Sequence, residues 1–396
     1  MSEVVRIAAR GDGVTADGRH VALAAPGDML RDDGTLQPGP HHRTAPCRHF
    51  PACGGCQLQQ LDGPSYAGFV RDRVVGALAA QQLVTDVRDA IVSPPRTRRR
   101  ATLHAERQGR HVRLGFAEQG SHRLIDLAEC HVLLPELFAL VAPLRTLLAA
   151  VLPERSRADV HLARADGGID VLLRGSVIDG LAAAEAITGF AERQRLARFA
   201  VDEGLGAEVR WEPQPATITL GGVPVPLPPG AFLQATADGE AALIAAVREA
   251  IGSARTTADL FAGLGTFALA LPGRVYAAEG ARDSVLALSG VGRARGVFAE
   301  HRDLFRRPLV PAELDRFEAV VLDPPRAGAR EQVLQLAGSK VSRIAYVSCN
   351  PSSFARDAAV LCEGGYQLDW VQPVGQFTWS THVELAAAFS RPGSPR

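Results

Sequence analysis

The chain has 396 residues, with 43 basic and 43 acidic side chains and a formal charge of zero. That length accommodates two or three cores, and the charge balance excludes a protein that grips a polyanion through a global basic field. No apolar run approaches the ~20 residues of a membrane-spanning helix. Residues 1–10 have neither an apolar core nor a cleavage site, so a cytoplasmic protein with no membrane attachment is expected.

Residues 1–45, rich in Gly, Asp and Pro, read as a small β element with a strand-like run at 21–25, then a loose connector at 31–45. Cys47, Cys53 and Cys56 follow in a tight cluster, and Cys130 supplies a fourth thiol. Six cysteines do not make a disulfide framework in so long a chain, and the spacing allows tetrahedral zinc or an iron–sulfur cluster. Near-helical apolar spacing predicts helices over 57–90, and strands are expected at 102–116, 160–164 and 169–173, making an α+β middle domain. The run Arg96-Thr97-Arg98-Arg99-Arg100 is the one dense basic stretch, suited to phosphate or to a solvated edge strand. The prolines of 223–230 mark the next boundary.

Beyond it strand and helix alternate. Helices are expected at 232–251, 266–271, 330–338 and 352–363, and strands at 256–261, 275–279, 317–323, 343–349, 366–371 and 383–389. Such alternation predicts a parallel, doubly wound sheet closed by an antiparallel hairpin. Asp259-Leu260-Phe261-Ala262-Gly263-Leu264-Gly265-Thr266 ends a strand and opens a helix, and Glu279 ends the next strand about 20 residues on. Both NAD-type and S-adenosylmethionine sites use that arrangement. Asp303, near the end of the following unit, suits an adenine amino group. Asp323-Pro324-Pro325-Arg326 and Ser348-Cys349-Asn350-Pro351 each end a strand, where ligands of open α/β sheets bind. A thiol there suggests a nucleophile acting on a flat, electron-poor group.

Together, Gly263-Leu264-Gly265, Asp323-Pro324-Pro325-Arg326, Ser348-Cys349-Asn350-Pro351 and His382-Val383-Glu384 resemble the RNA uracil-5-methyltransferase family, and within it the iron–sulfur branch acting on 23S ribosomal RNA. The resemblance implies a C-terminal Rossmann-like class I methyltransferase domain at 231–396. It also implies an α+β central RNA-binding domain at 46–230 carrying a [4Fe–4S] cluster on Cys47, Cys53, Cys56 and Cys130, and a shortened OB/TRAM-like β element at 1–45. It implies Cys349 as nucleophile on uracil C6, aided by a lowered pKa near positive charge, and Glu384 as the base that removes the C5 proton. S-adenosylmethionine would be bound through Gln234, Phe261, Thr266, Glu279, Asp303 and Asp323. Phe377 and Trp379 are candidates to stack on extruded bases, and a monomer is expected. Two rival readings are the transfer-RNA branch, which generally lacks the cysteines, and an iron–sulfur redox enzyme, which leaves Ser348-Cys349-Asn350-Pro351 without a role. A non-catalytic RNA-binding module with a zinc knuckle is a third; Cys349 and Glu384 count against it.

Overall fold

The C-terminal strands are apolar on both faces, which requires cover on both sides. In the computed structural model, which describes residues 1–392, they lie in one nine-stranded sheet. In spatial order Val297–His301, Arg274–Glu279, Thr256–Leu260, Ala319–Leu322 and Arg343–Ser348 run parallel. Glu384–Ser390 then enters antiparallel, between Arg343–Ser348 and Gln367–Gly375. Alternate side chains go to opposite cores: Val320 and Leu322 to one, Ala319 and Val321 to the other. Helices Arg330–Ala337 and Pro351–Glu363 cover the first face, Ala237–Ile251 and Arg282–Gly292 the second. The expected doubly wound α/β sheet and its antiparallel closure are both present.

Four local features differ from the sequence reading. Residues 266–271 form successive turns rather than a helix, because Pro272 and Gly273 follow before a second helical turn can close. The strand Val297–His301, not foreseen, pairs along the sheet edge. The proline-rich stretch is no boundary: Thr217–Leu220 and Val223–Pro226 form a hairpin whose Ile218, Leu220 and Val225 join the core of Leu243, Val247 and Phe267. Finally, residues 57–92 belong with the catalytic sheet and not with the middle domain. The helix Gly63–Ala79 is capped by Asp62, whose carboxylate accepts from the Ser65 amide at 2.9 Å. Its Phe69, Val70 and Val74 pack in the core of Phe354, Leu361 and Val371. Asp86–Val87 and Ile91–Val92 then pair in parallel with Gln367–Gly375. A Cβ on Gly375 would stand 3.2 Å from Val70 Cγ2, so glycine is suited to that close approach.

The middle domain is a seven-stranded sheet, in order Leu124–Asp126, His111–Ala117, Arg100–Gln108, Arg157–Ala165, Gly168–Arg174, Arg198–Asp202 and Ala207–Trp211. Leu103, Val160 and Phe199 face a core shared with Leu144 and Leu148 of helix Val141–Val151 and Phe190 of helix Leu181–Gln194. The alternating side chains on the opposite face are polar and pair across strands: His104 Nδ1 with Asp159 Oδ1 at 2.6 Å, and Thr102 Oγ1 with His161 Nδ1 at 2.9 Å. At the N-terminus, five short antiparallel strands lie within residues 2–37. The expected loose connector contributes one of them, Leu36–Gln37, and is pinned by buried Asp28. Its carboxylate accepts from the amides of Ala25 and Gly39, each at 2.7 Å, and pairs with His42.

Candidate functional site

Register brings the two proposed catalytic side chains together. Ser348 pairs with Leu385 on the antiparallel neighbour, so Cys349 and Glu384, one residue further on each strand, flank the same end of the ladder. Asp323 follows the adjacent strand Ala319–Leu322, its amide donating to the Leu260 carbonyl at 3.2 Å. Cys349 and Glu384 line a cleft of about 600 Å³ with Arg326, His382, Phe377, Phe232 and Arg100. The opposite wall comes from the middle domain through Thr102, Phe116 and the Gly54-Gly55 loop. The Arg326 loop is fixed from behind, its carbonyl accepting from Asn350 Nδ2 at 3.0 Å and Ser353 Oγ at 3.1 Å.

Electrostatically the site is acidic. Burial pushes Glu384 up to about 8; the Asp323 charge adds to this, and Gln376 and Arg100 offset it. Burial pushes the Cys349 thiol up to about 11, with Glu384 and Asp323 acting in the same direction and Arg326 against. The expectation of a lowered thiol pKa does not hold for the free protein: burial, reinforced by Glu384 and Asp323, outweighs the Arg326 charge, so the resting group is a thiol.

Beside this pair lies a second acidic group. Asp259 is fully buried; one oxygen accepts from the Ala268 amide at 2.8 Å, while Oδ1 has no partner. Burial, then Asp323 and Glu279, raises it to about 8; Asp323 itself rises to about 7 through burial and Glu279. Glu279 accepts from the Gly263 amide at 2.9 Å and the Ala281 amide at 2.7 Å. Phe261 adopts φ 65°, and its ring is 5.4 Å from Phe305. Open space would surround a Cβ on Gly263, whereas one on Gly265 would strike Leu288 at 2.5 Å. Thr266 is half-buried in the same turn. Asp303 caps the following turn, accepting from the Phe305 amide at 3.0 Å. Gln234 is buried and takes a hydrogen bond from Gln376 Nε2 at 2.8 Å; Gln376 in turn accepts from the Ala235 amide at 2.9 Å. A buried carboxylate oxygen without a partner, two further acids and an open glycine turn suit a cationic ligand approaching the backbone.

The four cysteines Cys47, Cys53, Cys56 and Cys130 are free thiols lining one small cavity with Phe50, Leu127 and Arg98. Burial raises Cys47, Cys53 and Cys56, the last to about 12. Among the described residues no group of three or more His, Cys, Asp or Glu side chains is placed to hold a metal ion. Cys362 is half-buried against the core of the catalytic sheet. The cysteine loop also touches the catalytic wall directly. The Trp379 carbonyl accepts from the amides of Gln57 and Leu58 at 2.8 and 2.9 Å, and Trp379 holds φ 60°.

The basic run divides by role. Arg99 is buried, paired with Glu240 at 2.5 Å and donating to the Gln234 carbonyl at 2.9 Å. Arg98 and Arg100 line the cleft, over the rings of Phe377 (5.5 Å) and Phe232 (4.3 Å). Phe377 lines it too; Trp379 faces a separate hollow with Pro94 and Pro95. Sequence reasoning missed Gln376 and Phe232 as site residues. Phe232 adjoins Gln234, and Gln376 adjoins Phe377, so proximity to known motifs was the only signal. No helix among the described residues is long and apolar enough to cross a membrane.

Comparison with known proteins bears on this geometry. The model of the tRNA (uracil-5-)-methyltransferase family matches residues 296–391, which include Asp323, Cys349 and Glu384. An uncharacterized RNA methyltransferase from Zymomonas mobilis is 50% identical over 99% of this chain and 100% of its own length. The 23S rRNA (uracil(1939)-C(5))-methyltransferase RlmD of Halomonas elongata is 32% identical over 89% of this chain and 77% of its own. The fold is shared with the Pyrococcus abyssi tRNA (uracil-54, C5)-methyltransferase, solved in complex with S-adenosyl-L-homocysteine. That likeness has a TM-score of 0.75 at 21% identity and covers 98% of this chain and 99% of the other. This chain belongs to the RNA uracil-5-methyltransferase family.

Proposed function

We propose that the protein methylates C5 of a uridine in 23S ribosomal RNA, through a covalent bond between Cys349 Sγ and uracil C6. The observation that carries this reading is the pairing of Cys349 and Glu384 at one end of the same strand ladder, inside a cleft walled by arginines and aromatic rings. Uracil C5 is a weak nucleophile until Cys349, its thiol proton released to solvent, adds at C6 as the thiolate and makes C5 an enolate carbon. After C5 has taken the methyl group, Glu384 removes the C5 proton; the C5=C6 bond re-forms as the C6–S bond breaks. S-adenosylmethionine suits the Gly263 turn with Glu279 and Asp323, beside buried Asp259; it would supply the methyl group and a positive charge opposing the raised pKa of Cys349. Gln234, Phe261, Thr266 and Asp303 would complete its pocket. Arg98 and Arg100 would face the RNA, whose target base must leave its stack.

RNA carrying 5-fluorouridine tests the mechanism, because fluorine cannot be removed as a proton and the adduct is trapped. With methyl donor present, the protein is expected to form a denaturation-resistant RNA adduct that Cys349→Ala abolishes; an adduct persisting in that variant would exclude Cys349. The ribosomal assignment rests on the Halomonas relative, and mapping 5-methyluridine in cells lacking the protein decides between ribosomal and transfer RNA.

Four thiols lining one cavity, Cys53 and Cys56 buried and Cys47 and Cys130 half-buried, suit a sulfur-ligated [4Fe–4S] cluster. Four protein ligands leave no open position, so its role is to hold the Gly54-Gly55 wall of the cleft. The protein purified without oxygen should be brown and contain iron and sulfide; a colourless protein containing zinc would sink the assignment.

A further inference from the structure

The cleft holding Cys349 and Glu384 does not end at Arg100 and Phe232. On their far side is a smaller hollow of about 150 Å³, which shares Arg100, Ala101, Thr102 and Phe232 with the cleft. Its other walls come from the helix-free face of the middle sheet, through His161 and Asp170, and from Leu227, Gly230 and Ala231.

Two features suit a flat, polar, aromatic ligand. Phe232 is 62% exposed, a costly position for a phenyl ring with no ligand against it. One face is occupied by the Arg100 guanidinium, 4.3 Å from the ring centroid. A guanidinium–phenyl pair between two hollows is the kind of platform on which bases stack without regard to sequence. His161 provides the second feature. Its Nδ1 is engaged by Thr102 Oγ1, but Nε2 is buried with no partner. An unsatisfied buried ring nitrogen is unfavourable, and a hydrogen-bonding base edge would satisfy it. Burial lowers the pKa of His161, which keeps the ring neutral and able to discriminate donors from acceptors. Asp170 is already paired with Arg198 at 2.8 and 2.9 Å, so it does not compete for that role.

We propose that this hollow binds the nucleobase of a nucleotide flanking the target uridine, stacked on Phe232 and read at its edge by His161. The inference rests on the uridine methyltransferase reading above. A strand whose uridine is drawn out toward Cys349 must also turn a neighbour aside, and the nearest shelter is the hollow behind the same phenyl ring.

The test uses the full-length protein and single-stranded pentaribonucleotides with a central 5-fluorouridine. Each flanking position in turn is made A, C, G, U or abasic, and binding is measured by fluorescence anisotropy without methyl donor. At one flanking position the abasic substitution should weaken binding about tenfold, the scale of one base–aromatic stack. Phe232→Ala should erase that difference and Phe232→Tyr restore it. His161→Phe should keep the stack while equalising the four bases at that position. Equal binding of all flanking variants by the unaltered protein, or an abasic penalty unchanged in Phe232→Ala, overturns the proposal. Adding the methyl donor to the same oligonucleotides separates the two readings. Adducts without a positional preference remove the subsite alone, and a positional preference without adducts removes the methyltransferase mechanism alone.

Discussion

At the scale of single residues, catalysis depends on carboxylates kept away from their ordinary pKa. Glu384, pushed up to about 8 by burial beside Asp323, holds a proton at neutral pH in the free protein, and the base role proposed for it requires that proton to leave first. kcat/KM for the methyl donor should therefore show one rising step through about 8, from Glu384, and a further rise toward 11 as the Cys349 thiol ionises, because that parameter reports the free enzyme. Glu384→Gln should lose the step near 8 while keeping the rise toward 11, slow turnover about 10²–10⁴-fold and accumulate adduct on ordinary uridine; a step near 8 that persists in that variant would remove Glu384 as base. Asp259 carries a stability consequence of the same kind. Its folded pKa is about 8 against an ordinary 3.8, so between those values the folded state keeps a proton the unfolded chain releases. Stability contributed below the lower value is then lost as pH rises through the higher one. Asp259→Asn should flatten that decline and raise stability at pH 8 by about 1–3 kcal/mol, readable in melting curves from pH 5 to 9.

At the scale of elements, the strand Arg100–Gln108 and the residue before it fasten the two domains together. Arg99 leaves the middle sheet, crosses to Glu240 on helix Ala237–Ile251 and holds the Gln234 carbonyl on the way. Both charges are largely buried, so removing one leaves the other without compensation. Arg99→Ala is expected to cost about 3–5 kcal/mol in chemical denaturation and, by freeing the Gln234 segment, to weaken donor binding as well. Arg99→Ala paired with Glu240→Ala should recover part of the loss, since neither charge is then stranded. A surface pair would show neither the large single-mutant cost nor the recovery.

At the scale of the whole molecule, the sequence made the catalytic sheet legible because its strands are short, apolar and separated by helices of ordinary length. Cys349 and Asp323 stood out because each follows such a strand in a distinctive motif, and Glu384 because His382-Val383-Glu384 resembles a family motif; the structure brings the three to one end of the sheet. What escaped was long-range. Nothing local in Gly63–Ala79 says which sheet its Phe69 and Val70 will meet; that depends on Gln367–Gly375, some three hundred residues away. The prolines of Val223–Pro226 read as a break because proline cannot donate to a ladder, yet this hairpin has an edge that does not need the donor. The depressed thiol pKa failed for a related reason. The sequence does not show how deeply folding buries Cys349, nor that it sets Glu384 and Asp323 against the thiol; burial is the larger effect.

The early helix also governs how the polypeptide matures. Gly63–Ala79 leaves the ribosome with an apolar stripe whose partners, Phe354, Leu361 and Val371, are made some three hundred residues later. The middle sheet, whose contacts are internal, can close in the interval. Until those residues emerge the stripe lacks most of its native cover, leaving the nascent protein open to chaperone capture or self-association.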